Sequence, residues 1–311
     1  MLFCAVMIDN DIILSSRADG LEIGVRLILP DRRPCAVLQL SHGMCGCKER
    51  FLPFMQYMAE HGVACIANDH RGHGASVKHI EDLGYMYSSG YKGLVADMKM
   101  VSDHIRSIFP DVPFFLLGHS MGSLAARVYF KNWDNDVDGL ILCGTPFNRM
   151  HRAASLFLRI LCLYDKGRMR LPMIQRISSD RFNRRFASEG RQAWTCSDPQ
   201  VRKAFQEDPV CGFDFTANGA YNLMAMMGDA CSDKGWSCRN TAAPVALLYG
   251  EEDPCTEEGE SIRRALSQFH SQGYGNVIVR SYPSMRHEIL NEIGKEQVWD
   301  DILDIMKKAS E

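Results

Sequence analysis

Residues 114–126 read FFLLGHSMGSLAA, and this stretch is the clearest indication of how the chain folds. Its apolar beginning is typical of a buried strand, its end is rich in helix-forming Leu and Ala, and GHSMG at 118–122 joins the two. A serine between a strand and a helix lies on a strained turn, where side chains two positions before and after it would collide. Glycine is therefore needed at Gly118 and Gly122, and the pattern predicts an elbow that presents Ser120 in a cleft as a nucleophile.

Two backbone amides are expected to face the same cleft. The amide of Met121 follows the serine at the start of a helix, where unpaired N–H groups and the helix dipole stabilise negative charge. A buried strand at 35–43 runs into the sequence SHGM at 41–44, and a strand-end loop with His-Gly is where a second such amide is expected. We therefore predict an oxyanion hole formed by the backbones of Met44 and Met121.

A G-x-S-x-G pattern also arises by chance, so the chain must supply an acid and a histidine downstream. The apolar strand at 243–250 ends in EEDP, in which Pro254 favours an extended conformation for the preceding carboxylate. His287 is the one histidine among ten that follows the last predicted strand by a short loop. The order Ser120, Asp253, His287 is that of nucleophile, acid and histidine in the α/β-hydrolase fold, and we predict that these three residues are catalytic.

The rest of the core alternates between strand and helix patterns. The strands are predicted at 11–16, 21–29, 35–43, 63–69, before the elbow, and at 138–146, 243–250 and 276–283. The helices are predicted at 51–62, 91–109, after the elbow, and at 258–269 and 297–308. Such alternation is typical of a doubly wound, mostly parallel α/β sheet, in which ligands bind at the carboxyl ends of the strands.

A helical cap is predicted at 147–241, inserted into a core made of 1–146 and 242–311. The part at 147–191 holds 11 basic and 3 acidic side chains, a net charge of +8, although the whole chain carries −3. Two interpretations stay open: the apolar face of this part packs on the core, or it docks transiently on anionic membranes or micelles. Candidates for an acyl groove, or for the core of the cap, are Leu156, Phe157, Leu161, Phe182 and Trp194.

Composition excludes several classes of protein. The 311 residues are 46% hydrophobic and 23% charged, and the net charge of −3 gives no attraction to nucleic acid. The first eight residues are apolar but lack a basic flank or a cleavage site, which favours neither a signal peptide nor a membrane span. The 12 cysteines are scattered, as in a reducing compartment, so we expect a cytoplasmic protein. The oligomeric state stays open.

Neither a cofactor nor a metal is expected. The sequence DHRGHGAS at 69–76 holds two histidines and an aspartate, which could suggest a metal cluster. Their spacing matches no zinc signature, and the segment follows a predicted strand. We therefore interpret 69–76 as a structural loop stabilised by hydrogen bonds.

Taken together, the motifs resemble those of the monoacylglycerol lipase and lysophospholipase branch of the α/β hydrolases, also described as serine aminopeptidase-like. The resemblance covers nearly the whole chain. It rests on HGM at 42–44 with Arg50 and Phe51 downstream, NDHRGHGAS at 68–76, GHSMG at 118–122, DPVCGFDF at 208–215, YGEEDP at 249–254 and RHEILNE at 286–292. It implies hydrolysis of monoacylglycerol or lysophospholipid esters through an acyl-enzyme on Ser120. The alternatives are an aminopeptidase-type amide hydrolase and a non-catalytic ligand sensor.

The chain departs from this family in one loop. Where the family usually has H-G-x-x-E-H, this chain has HGMCGC at 42–47, without the Glu-His pair. The backbone donor at Met44 is kept, and two thiols, Cys45 and Cys47, stand beside the predicted oxyanion hole. They are either a redox switch or inert buried thiols, and the sequence leaves both interpretations open.

Overall fold

The computed structural model describes residues 8–147 and 151–310, and its eight strands form one sheet. The strands are β1 (Ile8–Ser15), β2 (Glu22–Leu29), β3 (Ala36–Ser41), β4 (Val63–Asn68), β5 (Phe114–His119), β6 (Gly139–Cys143), β7 (Val245–Gly250) and β8 (Val277–Tyr282). Their order across the sheet is β1-β2-β4-β3-β5-β6-β7-β8. The crossover of β3 and β4 puts the strand before the elbow near the centre.

Strand direction follows from the connections. The short turn after β1 allows β1 and β2 to pair antiparallel, with Ile8 opposite Leu29, and β2 is also antiparallel to β4. Every pair from β4 to β8 is parallel, because helices connect these strands. The predicted mostly parallel, doubly wound sheet is therefore confirmed.

Nine α-helices lie in the described ranges 8–147 and 151–310. They are α1 (Leu52–Glu60), α2 (Gly90–Ile108), α3 (Met121–Trp133), α4 (His151–Leu161), α5 (Pro172–Asn183), α6 (Pro199–Glu207), α7 (Ala217–Ala230), α8 (Glu260–Ser271) and α9 (Lys295–Ser310). In this part of the chain, no helix is both long and apolar enough to cross a bilayer.

The sheet separates two apolar layers. On one face, α1 and α9 pack against β-strand residues through side chains such as Phe54 and Ile302. On the other face, α2, α3, α7 and α8 contribute side chains such as Leu94, Leu124 and Met226. A strand that is buried on both faces has a nearly continuous apolar sequence, and for this reason β3, β4 and β6 could be predicted from the sequence.

The strand predicted at 138–146 is shorter in the structure. It ends at Cys143 because Gly144 adopts φ +54°, which turns the backbone out of the sheet. The segment between β6 and β7 holds the helices α4 to α7, as its sequence predicted, and α7 packs on α2 and α3. Residues 1–7, which hold most of the apolar run that favoured neither a signal peptide nor a membrane span, lie outside the described residues.

Candidate active site

The elbow at 118–122 has a strained backbone at its serine. Ser120 has φ +53° and ψ −118°, a conformation that non-glycine residues rarely adopt and that tertiary packing must hold. A Cβ on Gly118 would lie 2.4 Å from the carbonyl oxygen of Gly122, and a Cβ on Gly122 would lie 2.0 Å from that of Ser41. Both glycines are thus needed for close backbone approach, and they let Ser120 stand between β5 and α3.

Gly122→Ala is expected to destabilise the protein by about 3 kcal/mol, because the new methyl group would overlap the backbone of β3 and force the elbow to shift. The matched control is Gly275→Ala, since a Cβ there meets no atom within 4 Å. Urea unfolding of both variants measures the difference. Equal stability of the two variants would contradict this account of the elbow.

Asp253 and His287 form a buried pair at the end of β7. Asp253 leaves the strand in an extended conformation, with φ −74° and ψ 109°, as the following proline predicts. Its Oδ2 accepts a hydrogen bond from His287 Nδ1 at 2.8 Å, and its Oδ1 accepts one from the amide of Cys255 at 2.8 Å. Both side chains are almost fully buried, Asp253 at 2% and His287 at 4% exposure. This geometry fixes the orientation of the imidazole through Nδ1, so that Nε2 can act on a different group.

The electrostatics of the pair favour a basic imidazole. Burial opposes the charged form of His287, but the Asp253 carboxylate, the neighbouring Cys255 and their hydrogen bonds outweigh this effect, and the pKa of His287 lies well above 6.5. The neighbouring His119 behaves in the opposite way, because burial lowers its pKa to about 4. Two adjacent histidines therefore differ in basicity, and the one beside the carboxylate is the stronger base.

The carboxyl ends of five strands bring the predicted residues together. Gly43, in the loop after β3, lies so close to the elbow that a Cβ on it would be 3.3 Å from Ser120 Cβ. Gly144, just after β6, contacts the Asp253–His287 pair, because a Cβ there would be 3.1 Å from His287 Nδ1. The His119 ring lies 4.8 Å from the His287 ring between their centroids. The elbow serine, the acid and the histidine thus lie at one edge of the sheet.

The two predicted oxyanion donors flank the elbow. Met121 is buried and is the first residue of α3, so its amide belongs to the helix N-terminus. Met44 follows Gly43 in the loop that contacts Ser120, and its side chain is half-buried against the core. Both residues therefore lie in the segments that border the nucleophile.

The segment after α5 covers the histidine. The indole of Trp194 lies 5.1 Å from the His287 ring between centroids and 5.0 Å from the Phe182 ring. The carbonyl of Thr195 accepts a hydrogen bond from the amide of Glu288 at 2.8 Å. Of the candidates for an acyl groove, Trp194 thus lies against the site and Phe182 packs on Trp194, whereas Leu156 and Phe157 are exposed.

Acids next to the histidine already have partners. Arg50 pairs with Glu288, and its guanidinium lies over the Phe205 ring. Glu292 accepts hydrogen bonds from the amides of Ser197 at 2.8 Å and Arg286 at 2.9 Å. These contacts fix the loop that carries His287 both to the core and to the helical segment.

The loop 69–76 is bonded into the core. Asp69 Oδ1 accepts from the amide of Lys48 at 2.8 Å, and His70 Nε2 lies 2.9 Å from Ser41 Oγ. Burial lowers the pKa of His73 to about 3, so this imidazole is neutral. These contacts agree with a structural loop that supports the end of β3.

Two cysteines near the site could not be identified from the sequence. Cys255 lies in one cluster with Asp253 and His287, with its sulfur and their ligand atoms within 4.8 Å of one another. Cys47 Sγ lies 3.6 Å from Cys211 Sγ. The only signal for Cys255 was its position two residues after the predicted acid, and none existed for Cys211, because 164 residues separate it from Cys47.

Known hydrolases are similar to this chain in sequence. The family model described as serine aminopeptidase, S33 matches residues 32–294. A monoacylglycerol lipase of Mycolicibacterium smegmatis is 24% identical over 286 residues, 90% of this chain and 92% of that protein. A monoglyceride lipase of Mus musculus is 35% identical over 128 residues, which is 40% of each chain.

Solved structures share the fold. A thermostable carboxyl esterase from Bacillus coagulans superimposes with a TM-score of 0.85 over 97% of this chain and 100% of its own, at 24% identity. The eight-stranded sheet and its helices are therefore those of an α/β hydrolase. With the family model covering more than four-fifths of its length, the chain belongs to the serine aminopeptidase S33 family of α/β hydrolases.

Proposed function

We propose that this protein is a carboxylic ester hydrolase that cleaves monoacylglycerol or lysophospholipid through an acyl-enzyme on Ser120. The observation that carries the proposal is the buried Asp253–His287 pair at the edge of the sheet where the elbow stands. The similarity to proteins named monoacylglycerol lipase and monoglyceride lipase supports the substrate class.

In the first step, His287 Nε2 takes the proton of the Ser120 hydroxyl while Oγ attacks the ester carbonyl. Asp253 holds the imidazole through Nδ1 and stabilises its charged form. The amides of Met44 and Met121 donate to the tetrahedral oxyanion. His287 then gives the proton to the leaving alcohol. In the second half of the reaction, His287 takes a proton from water, which attacks the acyl-enzyme, and returns it to Ser120 Oγ as the acid product leaves.

An ester fits the charges around the site better than a peptide with a free amino terminus. An aminopeptidase needs a carboxylate that is available to the ammonium group of its substrate. Two acids close to His287 are already engaged: Glu288 pairs with Arg50, and Glu252 pairs with Arg185 at 3.3 Å. This favours an uncharged ester group.

The proposal is tested by labelling with a fluorophosphonate probe, followed by turnover of monoacylglycerol, lysophospholipid and aminoacyl amides. We expect labelling of the wild type and turnover of the two lipid esters. Faster turnover of the amides would replace the ester proposal by an aminopeptidase. Failure of the wild type to react with the probe would indicate a ligand sensor.

We also propose that 147–241 acts as a cap that makes transient contact with anionic lipid surfaces. Large apolar side chains of α4 and the turn after it are each exposed over more than half their surface: Leu156, Phe157, Ile160, Leu163 and Tyr164. Arg159 is exposed among them, and the first part of the cap carries a net +8. Apolar side chains surrounded by basic ones fit the interface of an anionic bilayer.

Leu163→Glu is expected to weaken sedimentation with vesicles of phosphatidylcholine and phosphatidylserine at least tenfold, because Leu163 is 84% exposed and a carboxylate would meet anionic head groups. The matched control is Ile13→Glu on β1, at a side chain that is 67% exposed. Binding that both substitutions weaken equally, or that neither changes, would refute a contact through α4.

A further inference from the structure

Two loops meet at a cluster of sulfur and oxygen atoms outside the proposed catalytic machinery. Cys47 comes from the loop after β3, and Asp208 and Cys211 come from the turn after α6. The two sulfurs are 3.6 Å apart, and both lie with a carboxylate oxygen of Asp208 in a group whose atoms are all within 4.8 Å of one another. We propose that this cluster is a binding site for a soft divalent cation, with Zn²⁺ as the fitting ion.

The donor set is the first reason. Zn²⁺ in proteins is bound by thiolates, imidazoles and carboxylates in a tetrahedral arrangement. Two Zn–S bonds of about 2.3 Å at a tetrahedral angle place the sulfurs about 3.8 Å apart. The observed separation of 3.6 Å is close to this value without any movement of the backbone. Three protein ligands leave one position for water.

The local backbone is the second reason, because it holds the ligands in place. The amide of Cys211 donates to the carbonyl of Asp208 at 3.1 Å, so one turn presents both residues. The amide of Gly212 donates to the carbonyl of Cys45 at 2.9 Å, which fixes this turn against the loop that carries Cys47. A site whose ligands are already positioned loses little entropy when it binds an ion.

Burial is the third reason. Cys47 and Cys211 are buried, at 1% and 8% exposure, while Asp208 is partly exposed and can admit an ion from solvent. Binding replaces the protons of both thiols, so each Zn²⁺ releases two protons. The nearby guanidinium of Arg50 pairs with Glu288 and lies over the Phe205 ring.

The ion would link the loop next to the elbow to the helical segment between β6 and β7. The spacing of 164 residues hides this cluster from sequence patterns, so the sequence alone predicts no metal site there. A second cluster, Asp253, Cys255 and His287, has a similar donor set within the described residues and must be separated from it by experiment.

The test uses the full chain, kept reduced with a phosphine, and the metal ions alone. We expect one equivalent of Co²⁺ to give a thiolate-to-cobalt charge-transfer absorption that Zn²⁺ removes. Cys47→Ser and Cys211→Ser should each weaken binding at least tenfold, and Cys255→Ser should leave it unchanged. No charge-transfer absorption, or binding that only Cys255→Ser weakens, would overturn the proposal.

A measurement on the wild type avoids variants that fold poorly. Bound Zn²⁺ should slow alkylation of Cys47 and Cys211 by iodoacetamide at least tenfold, relative to the same protein with a chelator, and leave the exposed Cys35 unchanged. Equal rates at Cys47 and Cys211 with and without zinc would overturn the proposal. So would a Cys47–Cys211 disulfide in protein that takes up no zinc after reduction.

Discussion

Ser120→Ala is expected to lower kcat about 10⁶-fold, since in the proposed mechanism no other group forms the acyl-enzyme. A factor of 10⁶ corresponds to about 8 kcal/mol of lost transition-state stabilisation. Binding of substrate should change little, because the alanine removes one oxygen atom from a site that the elbow backbone holds in shape. Single-turnover kinetics with a monoacylglycerol, together with a binding measurement, separates the two effects.

The matched control is Ser107→Ala, an exposed serine near the end of α2 whose hydroxyl donates to the carbonyl of His104. It should keep the activity and the fluorophosphonate labelling of the wild type. Undiminished turnover by the Ser120 variant would assign the nucleophile to another residue.

Asp253→Asn is expected to lower kcat about 10⁴-fold, because an amide cannot stabilise the imidazolium or hold the same tautomer of His287. The variant also changes the pH dependence. In the wild type the pKa of His287 lies well above 6.5, so the neutral base is lost, and activity falls, as the pH drops through that pKa. The acidic limb of kcat/KM should therefore have its midpoint above pH 6.5.

In Asp253→Asn, the burial that disfavours a charged imidazole stays, and the carboxylate that opposes it most strongly is gone. The midpoint of the acidic limb should therefore move below pH 6.5, so the variant keeps its reduced activity to lower pH than the wild type does. The conservative variant Asp253→Glu should keep the limb above 6.5, since it retains the negative charge. An unchanged limb in the Asn variant would show that Asp253 does not face the titrating group.

The sheet and the order of the candidate residues were predictable because each depends on local signals. Buried strands such as β3 and β6 appear as apolar runs, and the positions of Gly118 and Gly122 follow from the contacts of one turn. Asp253 and His287 could be predicted in the same way, because each follows a predicted strand by a short loop and the two stand in the order of the fold.

Contacts between distant segments were not predictable. Trp194 lies over His287, and Cys47 meets Cys211, only because the helices after β6 return to the edge of the sheet. Periodicity describes one segment at a time and says nothing about which loop another loop will contact. Leu156 and Phe157 are an example: their apolar side chains made them candidates for an acyl groove or for the core of the cap, but in the structure they are exposed.

The central claim, an acyl-enzyme on Ser120, is tested most directly by trapping it. A monoacylglycerol turnover mixture quenched in acid within milliseconds, digested and analysed by mass spectrometry should contain the peptide around 118–122 with the mass of the acyl chain added at Ser120. The adduct should vanish in Ser120→Ala and disappear from the wild type once substrate is exhausted. An acyl group found instead on Cys255 or Ser123, or turnover with no acylated peptide, would contradict the account.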